Sequence, residues 1–350
     1  MHPSIDFENL PIRIGFGSFS QPTDDRLRFI KQIGVNDILL NFYRTSLIDT
    51  AHDEQPLHGD GEWSFNELVS LRNRIEDYGL RLNAIENMPR DFYRDVMLGK
   101  PNRDRQIEKI KRTLENIARA GIPVFGYDWD PTDVLRSSLT HPLRGGAQSM
   151  AINLADYKNA PLFLDRVYSE AEMWEYYHYF LEHIIPVVEQ VGLKIAIHPT
   201  DPPVPEIGGV PRLFRSRENF DKAFHLVPSN NHGCEFCLGN WAAMGENIPD
   251  VIEHYGKQNK LFYVHFQTIS NALPQAFHEV FVDMPGYYDP IEIMQKLREI
   301  GFHGLIIPGH VPRVIGDGQW CERSRAMTSG YLKGILRTLE KHVPLNNGLF

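Results

Sequence analysis

Three apolar stretches in the second half of the chain each stop at a residue able to bind a transition metal. Residues 194–203 (KIAIHPTDPP) form a short apolar run cut off by His198 and then by Pro, Thr, Asp, Pro and Pro. His232–Cys237 (HGCEFC) ends on Cys237, and residues 261–265 (LFYVH) end on His265. Apolar runs of this length, bounded by proline or polar residues, read as buried strands. Imidazole, thiolate and carboxylate gathered at one end of successive strands suit a divalent ion such as Mn, Fe, Co or Zn, and a carboxylate biases the choice toward the harder ions. A single histidine at a strand end is more often a hydrogen-bonded core residue. The repetition at three consecutive ends is what argues for a site.

The spacing within 232–237 sorts its own residues. Side chains alternate along a strand, so Glu235 and Cys237 share a face while Cys234 and Cys237 point to opposite ones. That weighs against reading Cys234-x-x-Cys237 as a redox pair, and brings Glu235 inward if Cys237 is a ligand. Other candidates at strand ends are Glu86 and Asn87, Tyr127 with Asp128, Trp129 and Asp130, and His310. Arg136 and Arg212 are either clamps for an anionic substrate, since guanidinium binds carboxylate bidentately, or members of surface salt bridges. Trp129, Trp241 and Trp320 either wall a pocket or pack in the core. Cys321 stands alone and reads as packing. The acidic loop with His52, Asp53, Glu54 and His58 reads as solvated surface.

These ends need a scaffold. Strands are expected at 12–16, 35–43, 80–85, 122–127, 193–197, 232–237, 261–266 and 304–308. Helices are expected at 24–33, 64–78, 104–120, 169–191, 216–224, 248–255, 290–300 and 325–341. Ser64 and Glu67 make a capping-box pair at one helix start, and Gly34, Gly79 and Gly121 stand just past helix ends, where glycine is favoured. Regular strand–helix alternation requires parallel strands with helical crossovers. Eight such units favour a closed (β/α)8 TIM barrel over an open sheet. The first strand is followed by no G-x-G-x-x-G. The reading is a single α/β barrel domain over 1–350, with an insertion at 128–166, after the fourth strand, long enough to serve as a lid.

Bulk composition narrows the partners. The chain has 350 residues, 42% hydrophobic and 23% charged, with a formal charge of -9. That is ordinary globular composition, and the acidic balance argues against a nucleic-acid surface. The first ten residues lack the basic and apolar regions of a signal peptide, and no run is long enough to span a bilayer. Three cysteines are too few for a disulfide scaffold. A cytoplasmic protein without membrane contact is expected, with a homo-oligomer, a dimer first, as its assembly.

The motifs also carry a family resemblance. HPTDPP at 198–203, G-x-P-R at 209–212, F-C-x-G at 236–239 and V-H at 264–265 resemble the D-mannonate dehydratases, metal-dependent enzymes on a xylose-isomerase-like barrel. F-H-E at 277–279, D-M at 283–284 and P-x-H at 308–310 extend the likeness to nearly the full chain. The resemblance implies that His198, Cys237 and His265 ligate a manganese- or iron-type ion and that His310 is an acid/base residue. It implies a sugar-acid substrate, with loss of the proton alpha to the carboxylate and of the 3-hydroxyl.

The chain departs from the family pattern at informative places. Gly309 stands where the family has a metal-binding aspartate, and Glu235 is the proposed compensating ligand. Gln267 replaces an arginine and remains a candidate substrate contact with Asn87, Tyr127, Trp129, Arg136 and Arg212. Thr200 replaces an aspartate. Where the family has a catalytic tyrosine, near 318–325, Arg323 or Trp320 stands instead, so Arg323 and Glu279 join His310 as catalytic candidates. Whether Asp201, Glu279 or Asp283 touches the ion stays open. Two other functions fit: a metal-dependent isomerase, epimerase or eliminating lyase on a keto-sugar or oxidised glycoside, and a non-catalytic sugar-acid binder.

Overall fold

The computed structural model describes residues 7, 9–42 and 56–342. Most of the acidic loop, including His52, Asp53 and Glu54, lies outside the described residues, as does Tyr43. Eight strand positions form one parallel ring. The first is interrupted at Gly15, giving Ile12–Ile14 and Phe16–Phe19. The others are Asp37–Asn41, Arg81–Glu86, Val124–Tyr127, Lys194–Ile197, His232–Cys237, Leu261–Phe266 and Gly304–Pro308. The ring closes because the interrupted strand pairs on one side with Gly304–Pro308 and on the other with Asp37–Asn41. Gly15 permits the break, since a Cβ there would lie 2.9 Å from the Asp37 carbonyl oxygen.

Two apolar clusters separate by side-chain parity. The larger lies between strands and helices. The smaller includes Leu39, Ala84, Ala196, Tyr263, Leu305 and Ile307 and fills the inside of the ring. Along each strand the residues two positions beyond these therefore also face inward. This parity aims Asn41, Glu86, His198, His265 and Gly309 at the same open end.

The helices start where the capping chemistry says. Ser64 and Ser169 each accept from the backbone three residues on, and Glu67 and Glu172 reciprocate. The chain's last described helix, Glu322–His342, begins three residues earlier than the spacing predicts. A short helix at Leu238–Ala243, directly after the Cys237 strand, is not evident from periodicity because all six of its residues are buried. The insertion is an ordered hairpin: Ser138–Pro142 pairs antiparallel with Gln148–Ile152, which also pairs with Phe277–His278. Among the described residues no helix is long and apolar enough to cross a membrane.

Candidate active site at the open end of the barrel

Strand parity brings the metal-type donors together. His198, Cys237 and His265 each offer one donor atom, all within 4.8 Å of one another. Glu235 Oε1 lies 3.2 Å from His265 Nε2 and 3.9 Å from His198 Nε2. Glu86, from the opposite side of the ring, places Oε2 2.7 Å from His265 Nε2. Its other oxygen accepts from Ser18 Oγ at 3.0 Å and from the Asn41 amide. The Tyr263 hydroxyl donates to Glu235 Oε2. The Cys237 thiol donates to Asn240 Oδ1 at 3.0 Å or Gln267 Oε1 at 3.3 Å.

The electrostatics follow from burying this many ionisable groups in one place. Burial alone would raise the Glu86 carboxyl, but His265 against it overcomes that penalty and holds it at about 2. Glu235 is driven well upward by burial and by the neighbouring Glu86 charge. Burial, with His265 close by, lowers His198 to about 4, and burial pushes the Cys237 thiol up. Burial thus opposes ionisation of Glu235 and Cys237, while the neighbouring His265 favours it at Glu86.

A cavity of about 620 Å³ opens above these groups. His310 lines it just beyond the last barrel strand. Its Nδ1 lies 3.0 Å from Glu279 Oε1 and 3.3 Å from Arg136 Nη2, which leaves Nε2 as the ring nitrogen without these partners. Gly309 faces inward beside them. A Cβ there would sit 2.9 Å from Gln267 Cβ and 3.4 Å from His265 Cβ, where an aspartate would reach the donor cluster. The hairpin contributes Leu139, Thr140, Ser149 and Met150 to the opposite wall.

Several expected contacts are placed elsewhere. Arg212 is buried, with Nη1 2.7 Å from Asp130 Oδ2 and Nη2 3.0 Å from Thr132 Oγ1, so it braces loops and does not face the cavity. Arg136 is also buried, in a bidentate pair with Asp201 at 2.7 and 2.8 Å. Neither arginine is in a surface salt bridge. Tyr127 points outward from its strand, where its hydroxyl meets Tyr177 at 2.8 Å and His232 Nε2 at 2.9 Å. Trp129 packs on Tyr177 and Phe180 in the core, and Trp241 packs on Phe220 and Phe236. Arg323 is exposed and bonds the Ile315 carbonyl. Asp283 pairs with Arg144 at the surface, and Asp201 is committed to Arg136.

Asn87, Gln267 and Trp320 do line the cavity, although Asn87 Oδ1 also accepts from the Asp128 backbone at 2.9 Å. Asp128, one of the strand-end candidates, lines the cavity, and Asn240, Arg313 and Arg325 are among the lining residues that the motifs did not single out. Counting by two along Val124–Tyr127 would have turned Asp128 inward and Tyr127 outward. Arg325 sits on the buried side of a helix whose start is ambiguous, and its guanidinium donates to the Trp320 and Pro308 carbonyls.

Asp128 gives a pH signature. Burial, opposed in part by Arg90, pushes its carboxyl up to about 7. An unfolded aspartate titrates near 3.9, so the native state holds the extra proton between roughly pH 4 and 7, and this residue's contribution to stability falls as pH rises through that window. Asp128→Asn is expected to remove that slope, raising Tm more at pH 8 than at pH 4. Equal shifts at both pH values would show that Asp128 ionises normally.

The sequence and the fold have counterparts among known proteins. The model of the D-mannonate dehydratase family (UxuA) matches residues 15–162 and 153–345. The chain belongs to the D-mannonate dehydratase family. Mannonate dehydratase 2 of Halalkalibacterium halodurans is 31% identical, over 90% of this chain and 96% of that protein. The mannonate dehydratase of Thermotoga maritima is 30% identical, over 80% and 87%. The crystal structure of mannonate dehydratase from Streptococcus suis serotype 2 superposes with a TM-score of 0.84 at 27% identity, covering 97% of each chain. A D-psicose 3-epimerase from Clostridium cellulolyticum H10 superposes with a TM-score of 0.60, and at 11% identity it speaks for the barrel alone.

Proposed function

We propose that this family member is a metal-dependent dehydratase of a sugar acid. The observation that carries the reading is the cavity at the open end of the barrel, with His198 and His265 in its lining, Cys237 within 4.8 Å of both donors, and His310 paired with Glu279. Two nitrogens and a sulfur within ligand reach, with Glu235 beside them, suit a divalent transition ion, Mn2+ first and Fe2+, Co2+ or Zn2+ after it. These four residues would hold it. When bound, such an ion supplies Lewis acidity toward the substrate's carboxylate.

The chain's own groups account for the rest. Arg313 and Arg325 are the arginines among the cavity-lining residues and take the role of carboxylate anchors. In the elimination, the C2–H electron pair becomes the C2=C3 bond, the C3–O bond breaks, and the hydroxyl leaves as water. The resulting enol tautomerises to a 2-keto-3-deoxy acid. His310 Nε2 carries a proton to or from the substrate, while Glu279 on Nδ1 fixes the ring and its tautomer. Asn87, Gln267 and Trp320 contact the substrate's hydroxyls and carbon skeleton. The 128–166 hairpin belongs to the single barrel domain and acts as its lid. Cys234, Cys237 and Cys321 are all free thiols, which fits the cytoplasm.

Elemental analysis of the purified protein, then proton NMR with D-mannonate in deuterated buffer, tests the reading. Near-stoichiometric Mn, Fe or Zn and appearance of a 2-keto-3-deoxy acid are expected. No metal under saturating supplementation would defeat it. An epimerase is the second reading, favoured by one feature: Arg136 and Arg212 are committed to aspartates and Gln267 stands in place of an arginine. Deuterium entering the substrate without loss of water would select it.

A further inference from the structure

Four segments that leave different strands bring four ionisable side chains together at the cavity. Arg136 lies in the insertion, Asp201 follows the Lys194–Ile197 strand, Glu279 follows Phe277–His278, and His310 follows Gly304–Pro308. The terminal hydrogens of the Arg136 guanidinium are nearly all assigned. Nη1 donates to Asp201 Oδ1 and to the Leu135 carbonyl, each at 2.8 Å, and Nη2 donates to Asp201 Oδ2 at 2.7 Å. The second Nη2 hydrogen is left for His310 Nδ1, 3.3 Å away, with Glu279 Oε1 at 3.8 Å. Glu279 Oε1 in turn lies 3.0 Å from the same Nδ1. Nδ1 thus meets one group that can only donate and one carboxylate that accepts. The Arg136 and Glu279 side chains are each 1% exposed, so water and salt screen little of their interaction.

A histidine beside a lone buried carboxylate is held as imidazolium and makes a poor base, because the ion pair resists giving up its proton. A guanidinium at the same nitrogen counters that bias. Two carboxylates and one guanidinium leave one net negative charge beside the ring, and a proton taken up at Nε2 cancels it. We infer that Arg136, held in place by Asp201, is a positioning residue for His310: it balances the Glu279 charge so that Nε2 can both take and release a proton. The aspartate of the H-P-T-D-P-P segment thereby has a task. Burial opposes its charge, and Arg136 more than offsets that penalty, so the two act as a unit. Other charges face the cluster: Arg325 and His278 act on Glu279, His198 on Asp201, and Cys237 on Arg136. These stay the same when Arg136 or Asp201 is replaced, so only the substituted charge differs. The inference rests on the proposed function in taking His310 as the proton carrier.

The test is an NMR titration of the His310 Cε1–H signal in the full-length protein supplied with diamagnetic Zn2+. The signal is assigned by its absence in His310→Gln. Arg136→Gln is expected to raise the midpoint by about 1–2 pH units, since it leaves both carboxylates uncompensated. Asp201→Asn keeps the guanidinium and an acceptor for it, and is expected to lower the midpoint. A purely structural brace would move neither. An unmoved midpoint in Arg136→Gln, or shifts of the same sign in both variants, overturns the inference. Should Arg136→Gln fail to fold, Asp201→Asn decides alone, and a midpoint that stays or rises there overturns it. With D-mannonate and Mn2+, the acid limb of kcat/KM is expected to follow the NMR midpoint. The Arg136→Gln deficit then closes as pH rises, and a deficit equal at every pH would also overturn the inference. The titration needs no substrate. Midpoints that shift as expected in a protein that dehydrates no sugar acid would count against the proposed function and leave the charge balance at His310 standing.

Discussion

Replacing His310 by glutamine is expected to lower kcat by about 10²–10⁴-fold, the usual worth of a positioned proton-transfer group, with metal content unchanged. His310 touches none of the metal donors among its hydrogen-bonding partners; its Nδ1 contacts are Glu279 and Arg136. Its side chain is 36% exposed, so glutamine can be solvated there without leaving a buried polar group unpaired. The loss should therefore appear in kcat and not in folding or in loading. Steady-state kinetics on the sugar acid that the wild type dehydrates, beside elemental analysis of both proteins, separates the effects. Half the wild-type rate would move the proton transfer to another residue. A parallel loss of metal would mean that His310 belongs to the donor set.

Gly126→Ala is expected to be the most destabilising single-methyl change in the barrel. Gly126 faces the interior across from Tyr263 and Glu235. A Cβ there would overlap the Tyr263 hydroxyl and lie 2.7 Å from Glu235 Oε2. Neither partner has room to retreat, because Tyr263 is 1% and Glu235 0% exposed. Overpacking of this kind costs about 1–3 kcal/mol, and prising the tyrosine from the carboxylate leaves a buried acceptor unpaired at about 1–3 kcal/mol more. The combined loss, on the order of 2–6 kcal/mol, corresponds to a fall in Tm of roughly 3–8 °C for a domain of this size. Thermal melts would read it. The double variant Gly126→Ala with Tyr263→Phe, which deletes the overlapping hydroxyl, is expected to recover the overpacking share and leave Glu235 without its donor. A single variant that melts within a degree of wild type would place Tyr263 elsewhere in the interior.

Both predictions turn on which way strand residues face, and this is where sequence and structure divide the information. Sequence periodicity and caps are local properties, so the eight strand–helix units, the capping box at Ser64, and the strand ends at His198, Cys237 and His265 were legible from the chain alone. Parity within the Cys237 strand was legible too, and it turned Glu235 inward correctly. The same two-residue count was available at Val124–Tyr127 but is weak there, because a four-residue strand of mostly apolar residues has no polar face to mark its register. Hence Tyr127 and Trp129 went to the core and Asp128 to the cavity.

What only the tertiary structure decided was which charge meets which. Arg212 and Asp130 are 82 positions apart, and Arg136 and Asp201 are 65. Nothing local distinguishes an arginine committed to such a partner from one open to a substrate. The choice between Arg323 and Arg325 likewise depended on where the helix begins and which side packs on the barrel. Glu86 and Glu235 belong to strands on different sides of the ring, and their meeting at His265 follows from closure of the barrel. Strand period and helix caps act over a few residues, so the chain by itself determined the elements and their chemical ends. Ring closure and buried ion pairs join residues far apart in sequence, so only the folded barrel determined which of those ends form the site.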